Sequence, residues 1–243
     1  MTASDPKADL LRYLQDARDA LLWKLEGLSE YDIRRPLTPT GTNLLGLVKH
    51  AAGVELGYFG DTFGRPYFDE NPPSWWYTQD AEANADMWAT PDESREDIVG
   101  LYRRAWEHAN GTIAALPLDA TGRVPWWPEE RRETTLHHLL VRVIADTSRH
   151  AGHADIVREL IDGSVGLTQG KDNMPPGDRA MWEAHRQRLE KAAKSVYYRE
   201  GGRVVSDQEL DKLRLLLRDE GLDYPGLVAR RTEPLAAAGG GYP

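Results

Sequence analysis

Apolar residues recur with helical period along most of this chain, and that period predicts four long helices. Leu10, Leu11, Leu14, Ala17, Leu21 and Leu25 share one face of a helix over about 7–29, with Gly27 and Ser29 near its end. A second helix is predicted over about 42–63, capped by Thr42 or Asn43, with Leu44, Leu47, Ala51 and Val54 turned inward. A third runs over about 92–116, opened by Pro91 and Asp92 and closed by Pro117. A fourth runs over about 134–162 and stops at Gly163. No segment alternates with period two for long enough to argue a sheet. The expected fold class is therefore all-α, a four-helix bundle.

The links between these helices are unequal. The second and third are separated by a long segment, roughly 64–91, that carries Pro66, Pro72, Pro73, Trp75, Trp76 and Trp88. A crossover of that length in a compact domain usually serves as a lid or a pocket wall. The third and fourth are joined through Val124, Pro125, Trp126, Trp127 and Pro128. After Gly163 comes a turn-rich stretch and a fifth helix over about 178–198. A sixth is expected over about 206–220, with Ser206 and Glu209 as a capping box and Gly221 as its stop. The small, Gly-rich end from Thr232 reads as disordered. The expected division is a helical bundle over residues 1–195 and a C-terminal extension over 196–243.

One stripe on the fourth helix stands out. Leu139, Val143, Asp146, His150, His153, Val157 and Leu160 follow steps of four and three, so they line one side of the helix. Its ends are apolar and its middle is Asp146, His150 and His153. Titratable groups in a buried seam cost several kcal/mol unless something compensates them. A divalent cation does so, since imidazole and carboxylate are its usual ligands. The second helix offers a partner: His50 falls on one line with Asn43, Leu47, Val54 and Gly57. The expected metal site is His50, Asp146 and His150, with His153 a fourth ligand or a neighbour. The plainer alternatives are a hydrogen-bonded core histidine at His50 and a surface ion pair between Asp146 and His150.

Composition narrows the chemistry. The chain has 243 residues, no cysteine, and 39 acidic against 30 basic side chains, a net charge of −9. Without cysteine there are no disulfides, thiolate ligands or thiol nucleophiles, and any reacting sulfur arrives on a substrate. The acidic balance disfavours nucleic acid. No apolar run is long enough for a membrane span, and the N-terminus lacks a signal pattern, so a cytoplasmic protein is expected. Neither a P-loop nor a dinucleotide Gly-rich fingerprint is present.

The segments Gly46-Leu47-Val48-Lys49-His50, Trp75-Trp76 to Trp88, and Arg149-His150-Ala151-Gly152-His153-Ala154-Asp155 give the chain a recognisable likeness. It resembles the DinB-like four-helix proteins, in particular an actinobacterial branch related to mycothiol-dependent maleylpyruvate isomerase and the thiol S-transferases. The likeness covers most of residues 7–195 and leaves the last fifty without a counterpart. The family's metal triad is one histidine on helix two and two histidines four apart on helix four. His50 and His150 match two of these positions, and Asp146 stands at the third. A carboxylate there is similar to the glutamate of the maleylpyruvate isomerase branch, on a shorter side chain. His153 falls where many members have glutamine.

The resemblance implies a metal-dependent thiol transferase or isomerase. A divalent metal, zinc foremost with iron, nickel or manganese as alternatives, would activate a low-molecular-weight thiol such as mycothiol for attack on a small electrophile. The implied partners are these two small molecules, with no nucleic acid and no membrane, and a homodimer is compatible with such a bundle. Two other readings use the same residues: a facial-triad iron oxygenase acting on thiols, and a non-catalytic binding or dimerisation module stabilised by its metal. No catalytic residue is assigned beyond the metal site. Trp75, Trp76, Trp127 and Arg149 are the expected pocket residues, with loop packing as the alternative for the tryptophans and solvent exposure for the arginine. Arg142 lies off the stripe, and Glu55 is expected to be exposed or to orient a histidine.

Overall fold

The computed structural model describes residues 5–68, 72–76, 81–172 and 174–199, the side chains of 195–199 excepted. Six helices are described: α1 (Pro6–Trp23), α2 (Glu30–Arg34), α3 (Leu44–Phe59), α4 (Arg95–Ala115), α5 (Leu136–Asp162) and α6 (Arg179–Arg199). Two compact units divide at Met174 and Pro175. In the first, α1, α3, α4 and α5 form a bundle in which α3 packs on both α4 and α5, and α1 packs on α5. The all-α expectation holds. The second unit contains α6, begun by Asp178, whose side chain accepts the amide hydrogen of Met181. The expected sixth helix and the glycine-rich end lie outside the described residues. No described helix is long and apolar enough to cross a membrane.

The helix ends follow local chemistry. Asp5 caps α1 ahead of Pro6. Asn43 accepts the Gly46 amide hydrogen at 2.8 Å to cap α3. Ser94 and Asp97 form a full capping box on α4, and Thr135 caps α5. Three expectations are corrected. The first helix does not run to 29: it ends at Trp23, because Gly27 takes a left-handed φ of 74° and Ser29 starts the separate α2. The second stops at Phe59, and the 3-10 turn Asp61–Phe63 follows Gly60. A small antiparallel hairpin also exists, β1 (Thr121–Arg123) paired with β2 (Glu133–Thr135). Strands of three residues are too short to leave a period-two pattern.

The bundle interior holds two apolar clusters. One contains Leu21, Leu44, Leu47, Leu56, Tyr102, Trp75 and Trp76. The other contains Leu14, Val54, Phe59, Ile113, Leu140 and Val143. Each fully buried aliphatic side chain contributes about 1.5–3 kcal/mol. Between Leu14 and Leu21 on α1 stands Arg18, fully buried, and opposite it Glu55 of α3, also fully buried. Glu55 is therefore not exposed, as the sequence led one to expect. It accepts a bidentate pair from Arg18, Nε to Oε1 at 2.8 Å and Nη2 to Oε2 at 2.5 Å. Asn110 of α4 and Gln15 occupy the remaining Arg18 nitrogen. Burial pushes the Glu55 carboxyl up and the arginine charge opposes it.

Each buried ion loses several kcal/mol of hydration, so the pair adds little net stability, but removing one member strands the other. Glu55→Leu is thus expected to cost about 3–5 kcal/mol in urea unfolding. The double variant Arg18→Met/Glu55→Leu should recover most of that loss. A double variant as unstable as the single one would show that shape, not stranded charge, governs this position.

Candidate metal centre

Fifteen of the sixteen residues of α3 are buried, and the exception is His50. At this one position the central helix keeps partial exposure, and α5 faces it. His50 Nε2 lies 3.7 Å from Asp146 Oδ2, and His150 Nε2 lies 3.7 Å from the same oxygen. The two imidazole rings stand 4.7 Å apart between centres at 74°. One donor atom from each of the three residues lies within 4.8 Å of the others. A spacing of 3.7 Å is too long for a hydrogen bond. It is close to the roughly 3.4 Å between two ligands on one tetrahedral ion. Asp146 Oδ2 is buried and has no hydrogen-bond partner. A buried carboxylate oxygen without a donor, facing two imidazoles, fits a divalent cation.

Asp86, in the 3-10 turn Ala85–Met87 of the long crossover, was not anticipated. Its Oδ2 accepts from His50 Nδ1 at 2.6 Å. That bond fixes the ring and leaves Nε2 toward Asp146, the arrangement by which a carboxylate orients a metal-binding histidine. A lone aspartate in an irregular loop, 36 residues from its partner, leaves no periodic signal.

The charges are coupled. Burial works to lower the His50 pKa, but Asp146 and Asp86 more than reverse this and raise it to about 9. His150 is lowered to about 4, by burial first and then by the positive charge of His50. Both carboxyls are held low despite burial, chiefly by His50, with His150 and Arg142 also acting on Asp146. Without a cation the site therefore holds one proton, on His50.

The stripe itself is offset from the seam. The buried line of α5 runs through Leu136, Leu140, Val143, Thr147, Ala151, Ala154 and Arg158, and Leu160 is 66 % exposed. Asp146 and His150 sit at the rim of this line. His153 is exposed, with its ring 5.5 Å from that of His150. Arg149 is exposed. Trp75 and Trp76 are buried, packed edge-on to Phe68, with the buried Lys49 ammonium 5.0 Å from the Trp75 ring. Trp127 lies elsewhere, beside Tyr58 and Arg142.

A bundle whose facing helices present two imidazoles and a carboxylate to one point defines a class, the four-helix proteins with a candidate metal centre between helices. A family model narrows the class. Residues 9–163, more than half of the chain, match the mycothiol-S-transferase model, and the chain belongs to that family. The expected DinB-like kinship holds, and the family is one of thiol S-transferases. No curated protein matches it.

Two outcomes follow from this geometry. Asp86→Asn is expected to weaken zinc binding by about 10–100-fold while the fold is retained, since it would loosen a candidate ligand without removing one. Unchanged affinity in a competition titration would deny Asp86 that role. The second concerns protons. The His50 pKa is raised above its ordinary 6.5, so its charge stabilises the metal-free fold below 6.5 and that contribution fades as pH rises through 9. A cation must displace this proton. Calorimetry in buffers of different ionisation enthalpy should show about one proton released on zinc binding near neutral pH, and few above the pKa.

Proposed function

We infer that the protein joins a low-molecular-weight thiol of the mycothiol type to a small electrophile, with His50, Asp146 and His150 as the cation's ligands and zinc as the first candidate. The observation that carries this reading is the unpartnered Asp146 oxygen facing two imidazoles, in a chain of an S-transferase family. Three protein ligands correspond to a site that keeps a position open for chemistry. Bound there, a divalent cation supplies Lewis acidity that lowers the pKa of a thiol reaching it.

The side chains have distinct tasks. His150, with its lowered pKa, is neutral at physiological pH and ready to donate a lone pair. His50 is held through Nδ1 by Asp86, so its Nε2 is aimed without rotamer search. Asp146 brings a negative charge in place of a neutral imidazole, which would leave a cation held there less positive and so favour attack by an incoming thiol. The protein has no cysteine of its own to compete. In the transfer the sulfur bonds to the electrophilic carbon as its proton leaves to solvent, and the carbon either releases its leaving group with the bonding pair or opens a π bond whose far atom takes up a proton.

His50→Ala, Asp146→Ala and His150→Ala are each expected to lose most bound zinc and to abolish thiol conjugation, followed with a chromogenic electrophile. Chelation should remove activity and lower the melting temperature by only a few degrees, because the two apolar clusters hold the bundle. Unfolding on chelation would instead make the centre structural. Full zinc occupancy in all three variants would refute the ligand set.

A further inference from the structure

Arg142 lies on α5 one turn before Asp146, about 6 Å along the helix axis. Its setting is unlike that of an ordinary surface arginine. The guanidinium carbon stands 5.4 Å from the centre of the Tyr58 ring and 5.2 Å from that of Trp127. Arg142 Nε donates to Tyr58 Oη at 2.9 Å, and Trp127 Nε1 donates to the same oxygen at 3.3 Å. Tyr58 is itself buried, two turns beyond His50 on α3. Trp126 packs edge-on against Tyr58 and lies over Gly57, where a β-carbon would come within 2.7 Å of its ring. Only a glycine admits the indole at this point.

The side chain is thus held by two aromatic rings and a single hydrogen bond through Nε. Its two terminal nitrogens make no hydrogen bond or ion pair among the described residues, and Arg142 is exposed. In a chain with nine more acidic than basic side chains, a carboxylate partner would be easy to supply. A guanidinium that is already immobilised and still unpaired presents a ready fork. That fork matches the two oxygens of a carboxylate and binds them with little further loss of side-chain entropy.

We propose that Arg142, stacked against Tyr58 and Trp127, binds a planar oxyanion of a substrate whose reacting atom lies at the His50–Asp146–His150 centre. The guanidinium lies on the Tyr58 ring, eight residues from His50 along α3 and about 12 Å of helix axis, so the body of the substrate spans from the oxyanion to that atom. Anion binding itself needs only Arg142. The placement of the reacting atom rests on the thiol-transfer reading above. The oxyanion belongs either to the electrophile or to the thiol, and the two sources are separable.

The probe is benzoate, with benzamide as its neutral counterpart, titrated by tryptophan fluorescence against zinc-loaded and chelator-treated protein. Benzoate should bind both forms and benzamide more weakly. Arg142→Gln should lose roughly ten- to a hundredfold in benzoate affinity, and Arg142→Lys less, because it keeps the charge and loses the fork. Benzoate binding that disappears on chelation and ignores Arg142→Gln would put the carboxylate on the cation and overturn the proposal. So would equal losses for benzoate and benzamide in Arg142→Gln, which would indicate a collapsed aromatic wall.

In turnover, two matched pairs identify the source: an acid and an amide electrophile with one thiol, then an acid and a neutral thiol with one electrophile. A KM rise in Arg142→Gln that is larger for the acid member of the first pair assigns the oxyanion to the electrophile, and of the second to the thiol. No difference in either pair overturns the link to the reaction. Benzoate binding that needs Arg142, in a protein that conjugates no thiol, would sink the thiol-transfer reading and leave the anion subsite standing.

Discussion

The burial of α3 is the constraint on which the rest depends. A helix with neighbours on every side cannot leave a polar group unpaired, so each of its polar residues is tied to something outside itself. Asn43 caps its own helix and donates to the Met87 carbonyl at 3.1 Å. Lys49 donates to the Trp88 carbonyl and to Glu93. Glu55 takes Arg18 from α1. His50 is the one residue of the helix left partly exposed. The candidate centre is a consequence of this enclosure: one opening in a covered rod, with α5 providing the opposite wall.

Charge balance ties the centre to its surroundings. Without a cation, Asp86 and Asp146 are both ionised against one protonated histidine. The sum is one negative charge, with Arg142 a turn away. A divalent ion in exchange for the proton brings the group to neutrality, the cheapest state for a partly buried cluster. The buried Arg18–Glu55 pair is already neutral without help and has no opening to solvent, so it offers a ligand nothing. Two clusters of like composition therefore differ in role, and the difference lies in accessibility and in whether every acceptor has a donor.

Much of this was legible in the sequence, for physical reasons. Helical period gave the four bundle helices because each must bury one side, and spacing brought His50, Asp146 and His150 to facing helices. The reading of α5 was off by a small rotation. Leu139, Val143 and Val157 suggested a seam centred on the histidines. Those three are buried, but between them the packed line uses Thr147, Ala151 and Ala154 rather than the histidines, small side chains that let helices approach closely and that weigh little in a hydropathy pattern. The burial of Glu55 was misjudged, and that of Arg18, Lys24 and Lys49 left no signal, because such residues are typed as surface residues by composition alone and only their partners show otherwise. Asp86 and the Arg142 stack were out of reach, since both depend on contacts between a loop or a neighbouring helix and positions far away in the chain.

The segment that carried the family likeness, Gly46 to His50, has a physical reading in these contacts. A β-carbon at Gly46 would fall 1.8 Å from the Met87 carbonyl oxygen, so only glycine lets the crossover lie on α3 here. Three residues on, Lys49 holds the Trp88 carbonyl, and next to it His50 holds Asp86. Residues 86, 87 and 88 are thus fastened in order by 50, 43 and 49, on the cap and first two turns of one helix. At residues 86–88 the crossover is a strap whose attachment includes a candidate ligand. Any change that lifts the strap withdraws the carboxylate that orients His50. Cation affinity and loop position are for that reason one equilibrium, and occupancy of the centre should tighten the loop as much as the loop tightens the centre.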